Sequence, residues 1–153
     1  TVKTLFPSGL PLELEINRMG AEGDDLEMAA KEYEACLPRT IDVLLLGLGS
    51  DGHIASLFPG SSVFSESEID QLVVPVTDSP GAHNRLTITP SVVNSARQIF
   101  LLAPGEEKGR VLRRALRDVD DVSSLPVRMT LRGTWLLDVS AAIQVNSDLD
   151  DTE

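Results

Sequence analysis

The chain has 153 residues, 42% of them apolar and 24% charged, with a formal net charge of −11. That length and balance suit one soluble globular domain with a hydrophobic core, and no apolar run approaches the ~20 residues of a membrane span. The acidic excess argues against nucleic acid and anionic membrane surfaces as partners, because both need a basic footprint.

Residues 1–11 show no helical or strand period and no basic-then-apolar leader. Residues 12–19 alternate loosely and predict an entering or edge strand. After a glycine loop at 20–23, Asp24 offers an N-cap with Glu27 three residues on. Leu26, Ala29, Ala30, Tyr33 and Leu37 then fall on one face of a helix that Pro38 stops. Cys36, the only cysteine, reads as a small buried residue on that helix; with no disulfide available, a reducing, cytoplasmic setting is expected.

The stretch from Asp42 to Gly60 organises the rest. Val43-Leu44-Leu45-Leu46 has the pattern of a strand buried on both faces of a parallel sheet. Gly47, Gly49 and Gly52 follow, and they let the backbone turn sharply and approach a ligand. His53 stands at the start of what reads as a short helix closed by Pro59-Gly60, whose exposed N–H groups can hold an anion or a developing oxyanion. Gly47–Gly52 also spells the dinucleotide-binding pattern G-x-G-x-x-G, but the crossover helix of that motif runs for several turns, and here Pro59-Gly60 closes it at once. The plain alternative is a tight turn with an incidental histidine. Ser50 and Asp51, in the same turn at a strand's carboxyl end, favour a ligand role.

Residues 61–71 read as a surface loop, 72–77 as a β-branched second strand, and Asp78-Ser79-Pro80-Gly81 as a turn. His83 sits in that turn and is given no role. Residues 85–89 alternate as a third strand; Pro90 then opens a short helix with Thr89 as N-cap. Residues 98–103 form another buried strand, and Glu106 begins a helix to about Val119 with Val111, Leu112, Ala115 and Leu116 inward. Residues 134–138 are a last strand and 140–145 a terminal helical turn. Asp148, Asp150, Asp151 and Glu153 make an acidic tail, so residues 1–145 are read as the domain and 146–153 as the tail. Alternating strands and helices indicate an α/β fold, Rossmann-like, with a mainly parallel sheet flanked by helices.

Gly-Leu-Gly-Ser-Asp-Gly-His-Ile-Ala-Ser-Leu-Phe-Pro-Gly at 47–60 resembles the signature of the 6-phosphogluconolactonases, within the sugar-phosphate isomerase and deaminase superfamily. Arg85-Leu86-Thr87, Pro104-Gly105-Glu106-Glu107-Lys108, the Trp135-Leu136-Leu137-Asp138 block with Ala141-Ala142, and the helix carrying Ala29, Tyr33, Glu34 and Leu37 match the family's landmarks in order. Deaminases of the superfamily share Asp-Gly-His, whereas the Ala55–Gly60 ending has the lactonase form. Family members also carry an N-terminal section with a glycine/serine phosphate loop, an Asp-Glu-Arg segment and strands of the same sheet. None of these is found in the 153 residues. The expectation is therefore the C-terminal part of the family domain, of uncertain activity by itself and with an uncovered sheet edge open to self-association.

The resemblance implies hydrolysis of 6-phospho-D-glucono-1,5-lactone to 6-phosphogluconate, in the oxidative pentose phosphate pathway. A lactone is an activated ester, so neither a metal nor another cofactor is expected. A histidine suits general-base work near neutral pH, and His53 takes that role, with amides around Gly52 as oxyanion donors. Asp51 either orients His53 or the sugar hydroxyls, or caps the short helix; both can hold together. Gly47, Gly49, Ser50 and Gly52 line the substrate, and Arg85 and Lys108, at matched family positions, hold its phosphate. Two other readings are a non-catalytic sugar-phosphate binding or interaction module and a related isomerase or deaminase.

Overall fold

The computed structural model describes residues 15–65, 70–77, 84–117 and 121–147. In chain order its elements are α1 (Leu26–Cys36), β1 (Val43–Gly47), a 3₁₀ turn (Ser62–Phe64), β2 (Val73–Val76), β3 (Arg85–Ile88), α2 (Pro90–Ser95) and β4 (Gln98–Leu102). There follow α3 (Glu106–Arg117), a second 3₁₀ segment (Pro126–Thr130), β5 (Thr134–Leu136) and α4 (Val139–Asn146). Residues 15–20 form no strand, so of the expected strand over 12–19 nothing regular remains in its described part. The turn at 78–81, His83 and residues 148–153 of the acidic tail lie outside the described residues.

β1, β4 and β5 form a three-stranded parallel sheet in the order β1-β4-β5, with Gly47 level with Leu102 and Leu102 level with Leu136. Side chains alternate between the faces of such a sheet. Leu46, Ile99 and Leu101 point into the main core, where they meet Val92 and Val93 of α2, Leu112 and Ala115 of α3, Leu125 just before the second 3₁₀ segment, and Val127 and Met129 within it. The opposite face stays open: Val43 is 57% exposed, Leu45 62%, Leu102 41% and Leu136 48%. The expectation of strands buried on both faces is thus corrected for β1 and β4. Their apolar runs are suited to two covered faces, but helices and 3₁₀ segments of the described residues pack on one.

β2 and β3 form a separate antiparallel pair, Val73 opposite Ile88 and Val76 opposite Arg85. α1 lies on it through the predicted stripe: Leu26, Ala29, Ala30, Tyr33 and Leu37 join Val73 and Leu86 in a second, smaller cluster. Glu34 fastens the contact, its Oε2 accepting the N–H groups of Leu72 (2.8 Å) and Val73 (3.3 Å).

Local capping departs from the sequence reading in instructive ways. The N-cap of α1 is Asp25, not Asp24; its carboxylate accepts the Met28 N–H at 2.9 Å. Cys36 is on α1 as expected but exposed, because it lies off the stripe that meets β2 and β3. Thr89 precedes α2, yet its hydroxyl donates to the Gln71 carbonyl and so ties two loops instead of capping the helix. In α3, Leu112 and Ala115 are buried as predicted, while Leu116 is 53% exposed. α4 is longer than a single turn and runs through Asn146.

Candidate active site

Beyond β1 the chain does not enter a helix. Ile54 bridges back to Leu48 and also to Leu57, closing residues 54–57 into a tight turn in which the Leu57 N–H donates to the Ile54 carbonyl at 2.9 Å. Ala55 in that turn has φ = 51°, a left-handed conformation that costs a non-glycine residue ~1 kcal/mol. Ile54, Leu57 and Phe58 recur at helical spacing, but the same spacing lets a doubled-back loop sink all three into the core, where Ile54 and Leu57 are fully buried. The helix expected at His53 is therefore absent, and with it the helix-cap reading of Asp51 and the helix-terminal anion site.

What replaces them is a side-chain pair. The Asp51 carboxylate Oδ1 accepts the backbone N–H of His53 at 3.1 Å and lies 2.6 Å from its ring Nδ1. Partial burial alone would push the Asp51 carboxyl up; the hydrogen bonds from His53 and the pull of its ring outweigh that and hold it below the usual carboxylate range. An ionised acceptor at Nδ1 keeps the proton on that nitrogen and leaves the Nε2 lone pair free to take one.

Two glycines make this geometry possible. A Cβ on Gly49 would fall 2.1 Å from the His53 Nδ1 and 2.7 Å from the Asp51 Oδ1, so only glycine leaves room for the pair. Gly52 has φ = 96°, and its carbonyl accepts the Val127 N–H at 2.9 Å, docking the turn on the second 3₁₀ segment.

The amides of the turn serve the turn itself. Gly49 N–H donates to the His53 carbonyl (2.9 Å) and Gly52 N–H to the Gly49 carbonyl (3.2 Å). This corrects the expectation that the Gly52 amide is available to an oxyanion.

His53 lines an open cavity of about 550 Å³ between β1 and the β2–β3 pair, together with Gly47, Leu48, Ala55, Ser56, Thr87 and hydrophobic neighbours. Ser50 is exposed at the rim of the turn. Arg85, at the start of β3, reaches the same place by another route: its guanidinium carbon stands 5.5 Å from the centre of the Phe58 ring, which packs against His53 at 4.5 Å between centroids. Lys108 is not brought into this group. It sits in the first turn of α3, beyond the carboxyl end of β4, with its Nζ 3.8 Å from the Glu107 carboxylate. Residues that the sequence reading left without a role are Phe58 and Thr87, whose Oγ1 accepts the Ser56 N–H at 3.2 Å. The signals for Thr87 were its alternation with Arg85 along β3 and its place in the Arg85-Leu86-Thr87 landmark. Among the described residues, no group of three or more His, Cys, Asp or Glu side chains could hold a metal ion.

Residues 3–137 match the family model described as glucosamine-6-phosphate isomerases/6-phosphogluconolactonase. The chain is 42% identical over 130 residues to a 6-phosphogluconolactonase of Rattus norvegicus, covering 76% of this chain and 49% of the relative. It superposes on the crystal structure of a 6-phosphogluconolactonase from Shewanella baltica OS155 with a TM-score of 0.61 at 35% identity, covering 72% of this chain and 48% of that one. A monomeric glucosamine-6-phosphate deaminase is similar at 26% identity and a TM-score of 0.61, over 80% of this chain and 56% of that one. The chain spans about half the length of the curated relatives it matches.

Proposed function

The chain belongs to the glucosamine-6-phosphate isomerase/6-phosphogluconolactonase family, and from that membership we propose that it serves the hydrolysis of 6-phospho-D-glucono-1,5-lactone to 6-phosphogluconate, the lactone-opening step of the oxidative pentose phosphate pathway. The observation that carries the reading is the Asp51–His53 pair, held in a glycine turn at the carboxyl edge of the parallel sheet.

In this reading Asp51 fixes Nδ1 as the protonated nitrogen, and Nε2 of His53 removes a proton from water as the water oxygen bonds to the lactone carbonyl carbon. The carbonyl electrons pass to its oxygen. When they return, the bond from that carbon to the ring oxygen breaks, and the imidazolium gives its proton to the departing oxygen. The new carboxylic acid then ionises into solvent. The Ser50 amide, which donates to no backbone carbonyl among the described residues, is assigned here as an oxyanion donor. Gly47, beside which a side chain would meet nothing, lets the sugar approach the backbone, whereas the space beside Gly49 and Gly52 is taken by the His53–Asp51 pair and by Leu125. Arg85, and from the first turn of α3 Lys108, attract its phosphate.

The small-molecule substrate and the acidic net charge both fit a cytoplasmic enzyme without nucleic-acid or membrane partners. The lactonase-like domain is taken as residues 1–145 and the acidic tail as 146–153, with α4 running on through Asn146. Self-association is proposed through the edge of β1, unpaired among the described residues, and the open face around Val43. The test is turnover of the lactone with the spontaneous reaction subtracted, alongside binding of the product, 6-phosphogluconate. The likeness to a deaminase supports a second reading, ring opening of glucosamine 6-phosphate. Release of ammonia from that sugar, with no lactone turnover, would select it.

A further inference from the structure

We infer that Phe58 is a positioning residue that holds the His53 imidazole and the Arg85 guanidinium as one unit; the inference deepens the lactonase reading and rests on it. Phe58 is only 6% exposed, and nothing in the chemistry of lactone hydrolysis asks for a phenyl ring. Its ring nevertheless meets both groups at once: His53 at 4.5 Å between centroids with the planes inclined by 46°, and the Arg85 guanidinium carbon at 5.5 Å. A cation over an aromatic face is attracted by the ring quadrupole, more strongly where water is excluded.

The rest of Arg85 shows why that contact matters. Its Nε is buried and finds no hydrogen-bond partner, and among the described residues no carboxylate lies within ion-pair distance of the side chain. A buried donor without an acceptor is costly unless it serves a ligand. The aromatic face holds the guanidinium in place without neutralising its charge, so the cation can still attract an anion such as a phosphate.

The register of the two segments repeats the link. Arg85 and Thr87 are two apart on β3 and share a face. Thr87 takes the Ser56 N–H, and Arg85 lies over Phe58, itself two residues beyond Ser56. The base-bearing loop and the cation-bearing strand are therefore fastened at two successive points, one polar and one aromatic. Phe58 is the point that touches both functional groups.

The test uses 6-phosphogluconate as probe, followed through the Arg85 Nε–H and His53 ring signals by NMR in the unaltered protein and in Phe58→Leu, Phe58→Met, Phe58→Tyr, Arg85→Ala and the Phe58→Leu/Arg85→Ala pair. The expected result is that the probe moves both signals in the unaltered protein and that Phe58→Leu weakens binding about tenfold. Phe58→Tyr, which keeps the ring, restores binding to within about twofold. Arg85→Ala then costs less than about twofold more on the Phe58→Leu background, because the coupling is already gone. If Phe58→Leu fails to fold, Phe58→Met, similar in volume but without a ring face, takes its place. Additive losses, unchanged affinity in the ring-less variants, or no response of the two signals in the unaltered protein would overturn the inference. Responsive signals and a lost coupling without lactone turnover would uphold the role of Phe58 and remove only the hydrolase reading.

Discussion

Asp51 meets His53 twice, at the backbone N–H and at ring Nδ1, through a single carboxylate oxygen. That double contact fixes both the place and the proton of the imidazole. His53→Asn should lower kcat by ~10²–10⁴-fold, the usual worth of a general base. Asp51→Asn should cost at least about 10²-fold, because an amide cannot favour the same tautomer by charge. Steady-state kinetics checks both, with melting curves to show that the fold survives. Activity within a few-fold of the unaltered protein would return the histidine to a plain turn residue.

Gly49→Ala should act through His53. The added Cβ would overlap the imidazole and the Asp51 carboxylate, so the ring must leave its position. A loss of kcat comparable with that of His53→Asn is expected, with a smaller change in melting temperature. An unaffected kcat would mean that the pair can move aside at no cost to the reaction.

The residues of this candidate site were legible in the sequence better than its backbone was, and the difference has a physical cause. The glycines stood out because a sharp turn after a strand needs them, and Asp51 and His53 because a carboxylate and an imidazole in such a turn at a strand's carboxyl end favour a ligand role. The α1 stripe was readable because Leu26, Ala29, Ala30, Tyr33 and Leu37 all meet the β2–β3 pair. The loop after His53 was misread as a helix because Ile54, Leu57 and Phe58 satisfy a helical period and a core-seeking turn equally well. Only the bridges from Ile54 to Leu48 and Leu57 separate the two. The second face of β1 was misread because an apolar run states what a strand tolerates, not what packs on it.

Arg85→Ala should raise KM for the phosphorylated lactone more than it lowers kcat, since a phosphate contact holds ground and transition state alike. Lys108→Ala should do the same to a smaller degree, because the lysine has Glu107 as a neighbour whereas Arg85 has no carboxylate partner among the described residues. Unchanged KM for both variants, at low and at high salt, would make them ordinary surface cations.

Asp138 gives a pH prediction. Its carboxylate accepts the Gly105 N–H (3.0 Å), the Ala141 N–H (2.8 Å) and the Ser140 hydroxyl (2.9 Å), joining the loop after β4 to the start of α4. The Gly105 bond first, then those from Ala141 and Ser140, hold its pKa below the ordinary value. A lowered native pKa contributes stability above the unfolded value of about 3.9, and that stability is lost as the pH falls through the native one. The melting temperature of Asp138→Ala should therefore fall short of the unaltered protein by its full margin at neutral pH. The gap should close below about pH 4. A margin independent of pH would show that the charge of Asp138 plays no part.

The open face of the parallel sheet should make the 153-residue chain self-associate and bind apolar dyes. Val43→Lys, at a position 57% exposed, should reduce both without lowering the melting temperature. A monodisperse, dye-free monomer in sedimentation would refute the proposal.

The most direct measurement follows proton release from 6-phospho-D-glucono-1,5-lactone, with the uncatalysed rate subtracted, for the unaltered protein and His53→Asn side by side. The expected result is turnover above the blank in the first and none above it in the second. Equal rates in both, or no catalysed turnover together with no binding of 6-phosphogluconate, would contradict a lactonase site built on Asp51 and His53.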